Sequence, residues 1–309
     1  MACTTVAVPT VLGAGTAGAA PHVGLPTLET IRVGAAPDRV AVGAGAVWTG
    51  DVGDLFRVDP RTQAVRRIPD SATPVAAGAQ AVWARAVLDF DTVERIDPTT
   101  DAVVAKIALV GSPAAIAVDT DAVWVVDSAG VLTRIDPATN QVVATLALGT
   151  LGFGVATTPD AVWVSGQDAD GTRSRLWRVD PATNTLTASI DTAAPCSALA
   201  SAGDDTWAEC GTAQHVDPTT NQLLPTATNA LNGLAVSAPV VYALDTTGNL
   251  TALDPRTRRA GHVLDVPPLS EGLALGYGSV WIANPALTRA TTLRGAGTLL
   301  RLRNPGSPP

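Results

Sequence analysis

One aromatic residue recurs along this chain at a nearly constant interval, and that interval constrains the fold more than any other feature. Trp48, Trp83, Trp124, Trp163, Trp207, Tyr242 and Trp281 are separated by 35, 41, 39, 44, 35 and 39 residues. An Asp-Pro pair follows in register at Asp59-Pro60, Asp97-Pro98, Asp136-Pro137, Asp180-Pro181, Asp217-Pro218 and Asp254-Pro255. Seven near-copies with a period of about 40 residues belong to a repeat architecture. The unit therefore has to be read before the whole.

The unit around Trp124 divides into four short runs: AAIAVD (114–119), AVWVVD (122–127), VLTRID (131–136) and QVVATLAL (141–148). Each is rich in Val, Ile, Leu or Trp, is bounded by turn residues and lacks helical periodicity, so each reads as a strand. In the DPATN turn, proline presets φ, and the preceding aspartate accepts a backbone N–H. Asn140, Asn184 and Asn221 close three such turns, where a residue tolerant of left-handed backbone is needed.

Four antiparallel strands repeated seven times predict an all-β, seven-bladed β-propeller with a central channel. The crowded innermost strands are expected at the small-residue runs Val40–Ala44, Ala114–Val118, Ala198–Ala202, Leu234–Val236 and Leu273–Leu275. A parallel β-helix is the rival, but its coils are shorter. The last unit lacks a fourth strand, with Asn304-Pro305 read in place of Asp-Pro, while residues 27–34 (TLETIRVG) form an orphan outer strand. One blade is thus expected to combine both chain ends, with Leu28–Val33 beside Leu299–Arg303. The propeller spans 27–304, flanked by an extension at 1–26 and a tail at 305–309.

These units resemble the YVTN-type (YncE-like) propeller repeats of bacterial proteins. The likeness rests on the VW pairs, the IDP and VDP turns and Gly111-Ser112-Pro113, and covers roughly 27–304. Similar propellers occur alone, as sensor modules of envelope kinases, and in the virginiamycin B lyase family. The resemblance implies a seven-bladed fold and leaves function open. A lyase-like activity would imply histidines facing the central funnel. Of the three present, His22 lies in the extension, His215 occupies the register of Arg57, Arg95, Arg134 and Arg178, and His262 falls on an outermost strand. Glu271 stands before an inner strand without a partner base.

Other chemistries find little footing. The chain carries 28 acidic and 20 basic residues, net −8, and Lys106 is its one lysine. Without a basic cluster it lacks the footprint of a nucleic-acid or anionic-lipid binder. No apolar run reaches about 18 residues, so no spanning helix is expected. Ser128, Ser165 and Ser270 read as loop serines without a nearby histidine, and no Gly-rich phosphate loop opens a helix. Asp168 and Asp170, before Gly171, are reminiscent of a calcium loop but lack its distal Glu; a solvated insertion is the other reading. The N-terminus, with AGAA before Pro21, is somewhat like a cleavage region but has no basic start, so a linker or leader remnant is expected. Its Cys3 lacks the signal that lipid modification requires.

Two features remain. Counting outward from the Gly203-Asp204 hairpin, Ser201 pairs with Thr206 and Cys196 falls opposite Gly211, one place from Cys210. That strict register forbids a disulfide, whereas a one-residue bulge permits one; both stay open. Second, loops between strands two and three, and those leading into strand one, share one face of a propeller. They carry Asp51, Arg85, Asp89, Asp127, Asp245 and Glu271 as candidate binding residues, and 165–175 and 284–297 are the longest. The expectation is a monomeric, non-enzymatic scaffold or sensor at the cell envelope or outside the cell, a cytoplasmic location being the alternative. Its acidic mouth would take a cationic or polyhydroxylated ligand or a protein partner.

Overall fold

In the computed structural model, described for residues 6–7, 27–33, 36–285 apart from positions 52, 150, 169, 231 and 238, and 297–303, every repeat unit becomes one antiparallel sheet. The third blade shows the pattern. Its inner strand Pro113–Val118 pairs with Val123–Asp127, which pairs with Val131–Asp136 and then with the outer strand Gln141–Ala147. Seven such sheets stand in a ring, and the inner strands of successive blades touch all the way round. Small residues permit that closeness: a Cβ on Gly43 would stand 2.4 Å from the Ala77 carbonyl oxygen of the next blade. No helix among the described residues is long and apolar enough to cross a membrane.

The Asp-Pro turns are built alike. Asp136 Oδ1 accepts the Ala138 N–H at 2.7 Å, Asn140 N–H donates to the Asp136 carbonyl at 2.8 Å, and Asn140 adopts φ 59°. Such bonds hold the carboxyls of Asp59, Asp97, Asp136, Asp180, Asp217 and Asp254 below 3.8; backbone donors lead in all but Asp217, where the Thr220 hydroxyl comes first. The unfolded chain takes up protons near 3.8 while the native turns stay ionised to lower pH, so the native state binds fewer protons there. Stability is therefore expected to be fully present above about pH 5 and to fall progressively below about pH 4. Urea unfolding across that range measures it, and a flat profile from pH 5 to pH 3 would contradict the assignment.

The repeat aromatics lie in the second strands, and all six tryptophans of the series are buried between blades. Over most of them lies a cation from the third strand. The guanidinium carbons of Arg95, Arg134, Arg178 and Arg301 stand 5.7, 5.2, 5.6 and 4.7 Å from the ring centroids of Trp83, Trp124, Trp163 and Trp281. Each then reaches the next blade. Arg134 donates to the Pro181 carbonyl at 2.7 Å and to Asn184 Oδ1 at 3.1 Å; Arg95 and Arg178 repeat this on Pro137 with Asn140 and on Pro218 with Asn221. Arg57 lies over Trp48 and pairs with Asp101, and Arg301 reaches Pro60. One side chain thus packs on its own blade and clasps its neighbour's turn, a cation–π contact of about 0.5–2 kcal/mol adding to the hydrogen bonds.

The ring closes where the two chain ends meet. Thr27–Arg32 pairs along its length with Thr298–Arg303, from Thr27 opposite Arg303 to Arg32 opposite Thr298. Val6–Ala7, inside the expected extension, adds a short fifth strand at Leu28 and Thr27. The Asp-Pro register of this blade differs from expectation. Arg301 sits opposite Trp281 as Arg134 sits opposite Trp124, so Arg303, and not Asn304, holds the place of Asp136. There Arg303 meets Glu29 of the strand Thr27–Arg32 at 3.0 Å. Asn304 and Pro305 lie outside the described residues.

In the fifth blade the ladder runs from Ala202 opposite Asp205 to Ala198 opposite Glu209, with Ser201 opposite Thr206. Beyond that point it slips. Ser197 N–H donates to the Glu209 carbonyl at 2.9 Å, and Gly211 takes a left-handed φ of 79°. Cys196 consequently meets Cys210, and the two form a disulfide with their Cα atoms 4.0 Å apart.

Candidate functional site

The first residues of the seven inner strands converge on one end of the ring axis and enclose a funnel of about 440 Å³. Its wall is divided. Blades two to four contribute Val75, Ala115, Ile116, Phe153 and Val155, whereas blades five, six, seven and one contribute Glu209, Asn232, Glu271 and Arg39. Charged and amide side chains thus enter from one half only, beside Val40, Leu199, Leu234 and Leu273, while the other half is apolar, a composition suited to holding a small molecule in one orientation.

Glu209 ends the second strand of blade five, where the slipped ladder beside the disulfide holds it. It is buried and accepts the Ser197 hydroxyl at 3.1 Å, and burial pushes its carboxyl above the usual range. Glu271 is raised first by burial and then by the nearby charge of Asp38, with Arg39 opposing. Asp38, which accepts the Thr73 hydroxyl at 2.9 Å, is likewise raised by burial despite that bond. Two carboxyl groups and one arginine therefore line a partly dehydrated space, with the charge of Asp38 close to Glu271.

Of the six candidate binding residues, Glu271 alone lines this funnel. Asp127 is fully buried, its Oδ1 accepting from Ala129 and Val131 and its Oδ2 from Gly111. Asp245 likewise accepts from Thr247 and Asn249. Both carboxylates are committed to their own turns, so changing them disturbs the fold as well as the mouth. Asp51 holds the N–H groups of Gly53 and Asp54. Asp89 is exposed and lies 3.7 Å from Lys106. Arg85 belongs to the strand Val82–Ala86, its guanidinium near the ring of Phe90. Asp170 binds its own loop through Thr172, and Asp168 bounds that turn. Among the described residues no three His, Cys, Asp or Glu side chains gather as metal ligands. Ser165 is a buried strand residue and not a loop residue, because the long second strand Ala161–Gln167 extends through it.

His215 packs on Trp207 with ring centroids 5.1 Å apart, and His262 lies on the outer strand Ala260–Asp265; neither lines the funnel. His22 and most of loop 284–297 lie outside the described residues. Sequence reasoning missed Asp38, Arg39 and Asn232. Their signal was positional: each begins or immediately precedes an inner strand, the same place in the repeat that exposes Glu271.

No protein-family model matches the chain, and no curated protein matches it in sequence. Its fold is nevertheless shared with solved structures. BamB from Moraxella catarrhalis superposes with a TM-score of 0.61 at 13% identity, covering 91% of this chain and 94% of that one. The Neurospora crassa Pan2 WD40 domain gives a TM-score of 0.69 at 12% identity, covering 89% and 90%. The computationally designed Ika8 protein gives 0.61 at 16%, covering 88% and 97%. At such identities the likeness is one of fold alone, which in this chain is an all-β ring of seven four-stranded blades.

Proposed function

We propose that this chain is a non-enzymatic binding propeller whose central funnel receives a small ligand, in the manner of a sensor or scaffold module. The observation that carries this reading is the division of the funnel wall into an apolar half and a charged half. Carboxyl groups outnumber the arginine, which suits cationic and polyhydroxylated molecules, and a bound ligand at the rim can be read by a protein partner. The Cys196–Cys210 bridge supports an oxidising location, outside the cell or in its envelope. The raised carboxyls of Glu209 and Glu271 favour a second reading, a lyase- or hydrolase-like enzyme using them as acids.

A ligand screen by thermal shift and isotope-edited NMR, run at low and high salt, tests the first reading. Ala114→Trp, which fills the apolar side, is expected to abolish binding of the hits; because Ala114 also packs on the core of its blade, circular dichroism checks that the variant is folded. Hits indifferent to Ala114→Trp would remove the funnel as the site. Turnover of a hit that disappears in Glu271→Gln would establish the enzymatic reading instead.

A further inference from the structure

Arg39 and Glu271 occupy neighbouring inner strands, Arg39–Gly43 of blade one and Glu271–Gly276 of blade seven. Gly272 sets how closely those strands approach: a Cβ there would stand 2.9 Å from the Asp38 carbonyl oxygen and 3.0 Å from the Arg39 Cα. Two opposite charges are therefore side by side, yet neither forms an ion pair among the described residues. The Arg39 guanidinium makes one weak bond, to the Asp38 carbonyl at 3.3 Å, and the Glu271 carboxyl accepts no hydrogen bond. An arginine and a glutamate that share a funnel wall and feel each other's charge without forming an ion pair leave a donor and an acceptor lining the same space.

Resting on the reading of the funnel as a ligand site, we propose that its ligand is a zwitterion of the free α-amino-acid type with an apolar side chain. The carboxylate is taken by Arg39, whose planar fork matches it, and the ammonium by Glu271. In such a molecule a single carbon separates the two charges, and the two receptors stand on strands whose backbones come close together at Gly272. The side chain then extends across the axis onto Phe153, Ile116 and Val75, the apolar half. A funnel of about 440 Å³ suits a ligand of that size. Asp38 beside Glu271 reinforces selection for the ammonium, and Glu209 with Ser197 remains on the same polar side. Burial and then Asp38 raise the Glu271 carboxyl, with Arg39 opposing; the ammonium pairs with its ionised form, so binding weakens as the pH falls.

Titration calorimetry with L-phenylalanine tests the assignment, with 2-phenylethylamine and 3-phenylpropionate as probes that each lack one charge. Phenylalanine is expected to bind, and each single-charge probe to bind about tenfold or more weakly. Glu271→Gln should erase the preference for phenylalanine over phenylpropionate, and Arg39→Gln the preference over phenylethylamine. The Glu271 side chain accepts from no described residue and the Arg39 guanidinium bonds only the adjacent Asp38 carbonyl, so both variants should stay folded, which circular dichroism checks; Arg39→Lys should recover part of the affinity. Absence of phenylalanine and leucine binding overturns the proposal, as does binding indifferent to both variants. Library hits blocked by Ala114→Trp but indifferent to Arg39→Gln and Glu271→Gln would sink the zwitterion and leave the funnel site standing. Hits that ignore Ala114→Trp would sink both.

Discussion

Deletion of residues 27–33 is expected to open the ring and leave a protein that aggregates. The strand they form pairs over six residues with Thr298–Arg303, and its Ile31 and Val33 are buried against Val47, Phe56 and Trp281. Removing two such side chains forfeits about 1.5–3 kcal/mol each. Glu29 goes with them, which bridges Arg301 and Arg303 of the last strand to Gln63 of the first blade. The combined loss approaches the whole net stability of a typical domain, about 5–15 kcal/mol. It also bares a sheet edge able to recruit other chains. Light scattering with thermal unfolding reads both effects. A truncated protein that stays monodisperse with its midpoint unchanged would show that the closing strand is dispensable.

The second large effect concerns the disulfide. Its cysteines are 14 positions apart, and cross-linking a loop of that size stabilises by about 3 kcal/mol in the chain-entropy model. The Cys196→Ala, Cys210→Ala double variant should lose about that much in denaturant unfolding. Alkylation of the unreduced, unfolded parent should label neither thiol. Labelling of both without reductant would refute the bridge. The loss should also reach the funnel, since Glu209 and Ser197 stand immediately inside the two cysteines and owe their contact to the same slipped ladder.

The fold was legible because the signals that specify it are local and repeated. A tryptophan in a valine run, an Asp-Pro turn and small-residue inner strands each have one physical meaning, and seven copies leave no ambiguity about period. Even the register of blade five reads correctly from its hairpin as far as Glu209. It fails one step later, where a left-handed glycine shifts the ladder, an event that strand counting cannot see. The site was less legible for a different reason. Asp127 and Asp245 look like exposed ligands, yet each is followed three positions on by a glycine, the mark of a tight turn whose amides the carboxylate itself holds. Asp38 and Arg39 escaped notice because their meaning comes from the ring: only when seven strands meet at an axis do their first residues become neighbours.

The arginine clasps are distributed unevenly, and the gaps share one location. The joint from blade five to blade six would need a cation at His215, which instead lies 3.3 Å from Asp205 of its own blade. The joint from six to seven has Ala252 opposite Tyr242, where blades one to four carry an arginine opposite a tryptophan. Releasing one blade from a closed circle requires breaking two joints, and here both unfastened joints flank the same blade, Gly233–Asp265. Blade six is therefore expected to lose hydrogen-exchange protection before the others, its polar tie to blade seven running through Asn232, which donates to the Ser270 carbonyl and accepts from the Gly272 N–H.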